Sequence, residues 1–286
     1  MRKIFILAAW LIWVVSPVYP FTLSNFDTPE SFAVDPEDGS YYVSNINGQP
    51  AEKDGNGYIS KINAGGSLVI QRFIGGKKGE MVLHAPKGIV IVGKNLFAAD
   101  IDSVKVFDKE TGKLMRNIDF SKFGAKFLND ITDDGRGVFY VSDTMTNQIF
   151  KFDSRDKYTV TVFKEGKELG GPNGVRVNPK SKNLMVVTWG SGQILEIDRQ
   201  GGIHVLKRGL SGLDGIDYDN EGNLYVSSFE KGEIYKIAYW GRGAITTFLN
   251  GLVTPADISC DRNKNEILIP SFKGNTVTTQ PLRKKA

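Results

Sequence analysis

Leu213-Asp214-Gly215-Ile216-Asp217-Tyr218-Asp219, then Asn220-Glu221-Gly222-Asn223, then Leu224-Tyr225-Val226-Ser227-Ser228, is the stretch whose pattern decides the fold. The first segment alternates apolar and polar residues, as a half-buried strand does. Asp, Asn and Gly together tolerate the backbone of a tight turn, so the middle segment reverses the chain. The last segment is a second, apolar strand. Gly232-Glu233-Ile234-Tyr235-Lys236-Ile237 supplies a third strand after a short polar loop, and residues 244–249 a fourth.

The same unit recurs along the chain. It begins at Pro29-Glu30 with Tyr41-Tyr42-Val43-Ser44-Asn45 as second strand, at Pro86-Lys87-Gly88 with Leu96-Phe97-Ala98-Ala99-Asp100, and at Leu128-Asn129-Asp130 with Phe139-Tyr140-Val141-Ser142-Asp143. It returns at Pro172-Asn173-Gly174 with Leu184-Met185-Val186-Val187-Thr188, and at Pro255-Ala256-Asp257 with Ile267-Leu268-Ile269-Pro270-Ser271. Successive second residues of the unit are 57, 42, 44, 41 and 42 apart, and the long first interval holds a polar insertion at residues 47–57. Four short strands per repeat of this length are the signature of a propeller blade, whose two faces are buried only by radial stacking. The expectation is an all-β, six-bladed β-propeller of four-stranded antiparallel blades around a central channel, with a β-sandwich as the competing fold. The sixth blade runs out of chain after Thr276-Val277-Thr278, so Phe21-Thr22-Leu23-Ser24 is expected to complete it and close the ring.

Residues 1–20 stand apart. Arg2 and Lys3 precede a twelve-residue apolar run from Ile4 to Val15, which Ser16 and Pro17 break. This is the layout of a secretory signal, and the run is short for a membrane span. The expected domains are a signal peptide at 1–20, with an uncleaved anchor as the alternative, and a single propeller at 21–286, periplasmic or secreted. No membrane insertion beyond the signal is expected. Of 36 basic residues the signal takes two, which against 32 acidic residues leaves a net charge of +2. That balance excludes a nucleic-acid footprint. Arg283-Lys284-Lys285 reads as a solvated end. The lone cysteine, Cys260, rules out an intramolecular disulfide and reads as a small buried hydrophobe.

In a propeller the first strand of every blade lines the channel, so equivalent repeat positions meet around the axis. The second residues are Glu30, Lys87, Asn129, Asn173, Asp214 and Ala256. Two carboxylates and two carboxamides are hard oxygen donors suited to calcium or magnesium. The ring has neither imidazole nor thiol, which disfavours zinc. The bland alternative is that Asn173-Gly174 and Asp214-Gly215 are turn punctuation. A second ring follows from the ends of the second strands: Asn45, Asp100, Asp143, Thr188, Ser228 and Ser271. Trp189, next to Thr188, is placed either to cover a ligand pocket or to fill the surface between blades. Neither His84 nor His204 sits beside a serine in a nucleophile-elbow context, and phosphate-loop and dinucleotide patterns are absent.

Across the whole region after the signal the chain resembles the SMP-30/gluconolactonase/LRE-like superfamily. The residues that carry the resemblance are Pro29-Glu30, Asn129-Asp130, Gly171-Pro172-Asn173-Gly174 and Leu213-Asp214-Gly215. The resemblance implies one divalent cation, calcium first with Mg²⁺ or Zn²⁺ behind it, held at a channel mouth by Glu30, Asn129, Asn173 and Asp214. It also implies a metal-dependent hydrolase of lactones or related esters. Asp214 is the expected catalytic carboxylate, and Lys87, Asp143 and Trp189 the expected substrate-binding residues. Two departures stand out. Family lactonases often carry an arginine where this chain has Phe127, and Lys87 adds a positive charge to the ring. The alternative function is a non-catalytic, NHL-like propeller that binds a small molecule, a glycan or a protein partner.

Overall fold

The computed structural model describes residues 20–75 and 83–282. All but Pro20 of the segment read as a signal, and the basic end at 283–286, lie outside the described residues. Six four-stranded antiparallel sheets stand in a ring. In each of the first five blades the four strands follow one another in chain order. The innermost strands are Pro29–Val34, Pro86–Val92, Leu128–Asp133, Pro172–Val177, Leu213–Tyr218 and Ser259–Asp261. The sixth blade takes its outer strand from the other end of the chain: Thr22–Ser24 pairs antiparallel with Thr276–Pro281, Thr22 opposite Thr278. This is the closure read from the sequence.

The core is distributed around the ring. Each pair of neighbouring blades encloses its own apolar cluster, as between the second and third blades, where Phe97, Val104, Phe120, Ile131, Phe139 and Phe152 pack together. There Phe139 stacks on Phe152 at 4.8 Å, with Phe97 4.4 Å from Phe139. An isolated blade would expose both these faces, so burial of the apolar strands and stacking of the blades are one event.

Channel-lining residues owe their aim to a repeated irregularity. In the first five blades the pairing of the first two strands slips after its first residue, as from Pro172↔Thr188 to Val175↔Val186. Such a bulge bends the strand and re-aims side chains. The backbone N–H left by the slip meets a serine hydroxyl of the second strand: Ser31 N–H donates to Ser44 Oγ at 2.9 Å, Asp130 N–H to Ser142 Oγ at 3.0 Å and Gly215 N–H to Ser227 Oγ at 2.7 Å. Ser142 and Ser227 donate onward to the next blade, to the carbonyls of Asn173 (2.6 Å) and Ala256 (2.7 Å).

Asn173-Gly174 and Asp214-Gly215 therefore lie inside strands at bulges and are not turns. Their glycines answer to close packing between blades. A Cβ on Gly174 would stand 2.3 Å from the Asp214 carbonyl oxygen, and one on Gly215 2.2 Å from the Ile258 nitrogen.

Candidate active site at one mouth of the channel

A cavity of about 440 Å³ opens at one end of the channel. Its floor is the ring expected from the repeat: Glu30, Lys87, Asn129, Asn173 and Asp214 all line it, each no more than 5% exposed. Ala256, the sixth member, is buried and adds no polar atom. Three oxygens of the floor, Glu30 Oε2, Asn129 Oδ1 and Asp214 Oδ1, are buried with no hydrogen-bond partner. Asn129 is held in this pose, because its Nδ2 donates to Thr144 Oγ1 (3.0 Å) and that hydroxyl donates to the Pro172 carbonyl (2.8 Å). Buried acceptors are ordinarily satisfied, so three of them around one cavity call for a positively charged or hydrogen-bond-donating group.

The electrostatics say the same. Burial holds the carboxyls of Glu30, Asp214 and Asp130 well above the usual carboxylate range, with Asp214 adding to the effect on Glu30 and Asp257 to that on Asp214 and Asp130. Asp130 and Asp257 follow the floor residues in the repeat and form a second acidic tier. Asp130 accepts the Val175 and Ile131 N–H groups, both at 2.6 Å. Asp257, whose own N–H donates to the Glu30 carbonyl at 2.9 Å, is pushed up to about 7 by burial. Four buried carboxyls thus crowd one end of the channel.

Lys87 opposes them. Its ammonium is buried, donates to the Ala85 carbonyl at 3.0 Å and lies 4.3 Å from the centre of the Phe127 ring. Burial lowers its pKa to about 8, against the pull of Glu30. Phe127 thus covers a lysine and lines the cavity wall.

Two carboxylates with two carboxamides, three of their oxygens unsatisfied, suit a hard cation such as calcium better than zinc. Among the described residues no three or more His, Cys, Asp or Glu side chains converge on a metal position.

The second predicted ring does different work. Asp143 is fully buried and does not line the cavity; its Oδ2 accepts the N–H groups of Lys126 and Phe127, and its Oδ1 those of Met145 and Thr146. Asp100 likewise accepts from the His84 and Ala85 backbone and pairs with Lys105 at 2.6 Å, while Asn45 accepts from Asp27 N–H. These three residues tie down the loops that lead into their own blades. The rim lies one residue further along. Ile46, Thr144, Trp189, Phe229 and Phe272 are the next residues in five blades, and all line the cavity. Trp189, Phe229 and Phe272 meet edge to face in a row, with centroids 5.3 and 5.5 Å apart. Trp189 was expected there, whereas Phe229, Phe272 and Ile46 were not. The signal that finds them is the same repeat register moved by one position. Pro50, from the insertion at 47–57, completes the wall.

No family model matches the chain, and no curated protein does. Solved structures do. A catalytically inactive His-to-Ala variant of virginiamycin B lyase from Staphylococcus aureus, with Quinupristin, is 14% identical over 91% of this chain and 98% of its own, at a TM-score of 0.63. A streptogramin B lyase is 12% identical over 92% and 97%, also at 0.63. A protein of unknown function from Bacteroides thetaiotaomicron is 14% identical over 92% of this chain and 72% of its own, at 0.69. At these identities the likeness bears on the fold alone.

Proposed function

We propose that the protein is an exported, divalent-metal-dependent hydrolase of a lactone or related ester. The observation that carries this reading is the trio of unsatisfied buried oxygens on Glu30, Asn129 and Asp214 in the floor of one cavity. Glu30, Asn129, Asn173 and Asp214 would hold the cation, with calcium the best match to their oxygens. A cation held there would supply Lewis acidity toward the ester carbonyl and acidify a nearby water. Asp214 takes the proton of the attacking water. Asn129, fixed by Thr144, orients the ester group, and Lys87 offers its ammonium to negative charge on the substrate or at the reacting oxygen. The likeness in fold to the lyases supports an enzyme on such a propeller, and the apolar run at residues 4–15 supports export.

Metal content and calcium-dependent melting of the protein, measured beside Asp214→Ala, test the reading. About one divalent ion per chain, a melting temperature that rises with calcium and the loss of both in the variant are expected, since a ligand of the folded state stabilises it by mass action. No bound ion and no calcium response would remove the metallohydrolase. Asp214→Asn should keep the fold and lose about a hundredfold or more in kcat; unchanged turnover removes Asp214 as the base. A non-catalytic ligand-binding propeller is the second reading, favoured by Lys87, whose ammonium already supplies a positive charge inside the ring.

A further inference from the structure

The walls of the cavity narrow the ligand's chemistry. Resting on the ester reading above, we infer that the substrate is an ester or lactone with an aromatic or branched apolar body, and not a polyhydroxylated sugar lactone. The polar atoms of the site are concentrated in the floor. Above it the wall is Ile46, Pro50, Met145, Trp189, Phe229 and Phe272. Thr144, a polar exception on the rim, already has its hydroxyl engaged by Asn129 and the Pro172 carbonyl. A sugar's hydroxyls, desolvated against this wall, would go without partners, and an unpaired buried hydroxyl is costly. An apolar ring meets the reverse situation. It lies against the edge-to-face row Trp189–Phe229–Phe272, whose members are half-buried without a ligand and lose further water when one binds. The volume of about 440 Å³ falls in the range of small-ligand pockets. Met145, 58% exposed at the lip, stands over the entrance as a further apolar contact.

Calorimetric titration with 3,4-dihydro-2-quinolinone, an aromatic lactam resistant to hydrolysis, tests this without requiring turnover; gluconolactam is the polyhydroxylated counterpart. The quinolinone should bind saturably and the gluconolactam should not. Phe229→Ala combined with Phe272→Ala should weaken the quinolinone about tenfold or more, the scale expected for losing aromatic burial. Should the double variant fail to fold by circular dichroism, Met145→Ser, at an exposed position, should still weaken binding about threefold. Tighter or equal binding of gluconolactam, absence of quinolinone binding, or affinity unmoved by the rim substitutions would overturn the inference. The failure of the hydrolase reading is a separate result: quinolinone binding that survives in EDTA and in Asp214→Asn, with no ester turned over, keeps the apolar ligand class and discards the chemistry.

Discussion

Lys87 places a full positive charge opposite Glu30 in a ring that otherwise offers two carboxylates and two carboxamides. Charges a few ångströms apart in a protein interior interact by about a few kcal/mol, so the lysine works directly against a cation in the same ring. Lys87→Met keeps the length and apolar stem and removes the charge; calcium affinity measured by titration should rise about tenfold or more. Asp257 gives the complementary case. Its folded pKa of about 7 lies above the ordinary Asp value, so its contribution is present below the unfolded pKa and lost as pH rises through 7. In EDTA, Asp257→Asn should therefore melt higher than the native protein at about pH 8, with the gain shrinking toward pH 4, where the folded group is neutral and the unfolded one about half ionised. Equal gains at both pH values would show that the charge of Asp257 is not what destabilises the folded state. The floor was legible in the sequence because one repeat position per blade converges on the axis. The rim was not, because a side chain at a strand's end and the one after it diverge: Asp143 turns in to its own loop while Thr144, Trp189, Phe229 and Phe272 turn to the cavity.

At the scale of the element, the bulge and its serine form one unit. Ser227 accepts from the bulged Gly215 N–H and donates to the Ala256 carbonyl of the next blade. Ser227→Ala leaves both buried groups unpaired and should destabilise by about 1–3 kcal/mol in denaturant unfolding; no loss would mean that the backbone closes over the gap. Nothing in the alternation of Leu213-Asp214-Gly215-Ile216 announces the slip, since apolar and polar residues keep their order through it. Asn-Gly and Asp-Gly pairs look like turns for the same reason. The choice between turn and bulge is made by the neighbouring blade, whose backbone comes within 2.2 Å of where a Gly215 Cβ would stand, a distance no local pattern contains.

On the scale of the whole molecule, the ring was readable because six near-equal repeats admit few other arrangements, and the shortfall of one strand at the C-terminal end matched a spare strand at the start. That closure carries a load. Phe26 is 1% exposed in the cluster where the sixth blade meets the first, with Phe21 and Leu23 packed against it. Removing residues 20–26 should cost at least about 3–5 kcal/mol, the usual loss for one large buried aromatic, and thermal unfolding should show a sharply lowered or absent transition. A cooperative transition near that of the intact chain would show that the ring holds without its clasp. The insertion at 47–57, whose composition is that of a solvated loop, delivers Pro50 to the cavity.

The rim set one residue past each buried tie has a consequence for how such a protein changes its ligand. Ile46, Thr144, Trp189, Phe229 and Phe272 belong to five separate blades, each anchored by a different preceding residue. They are coupled dials: Trp189, Phe229 and Phe272 touch edge to face, and Thr144 holds Asn129 and the Pro172 carbonyl, so turning one alters what the cavity accepts and shifts its rim neighbours as well. A library randomised at these positions together would sample ligand preference, provided that Ile46, 1% exposed and packed in the core beside Ala85, stays apolar.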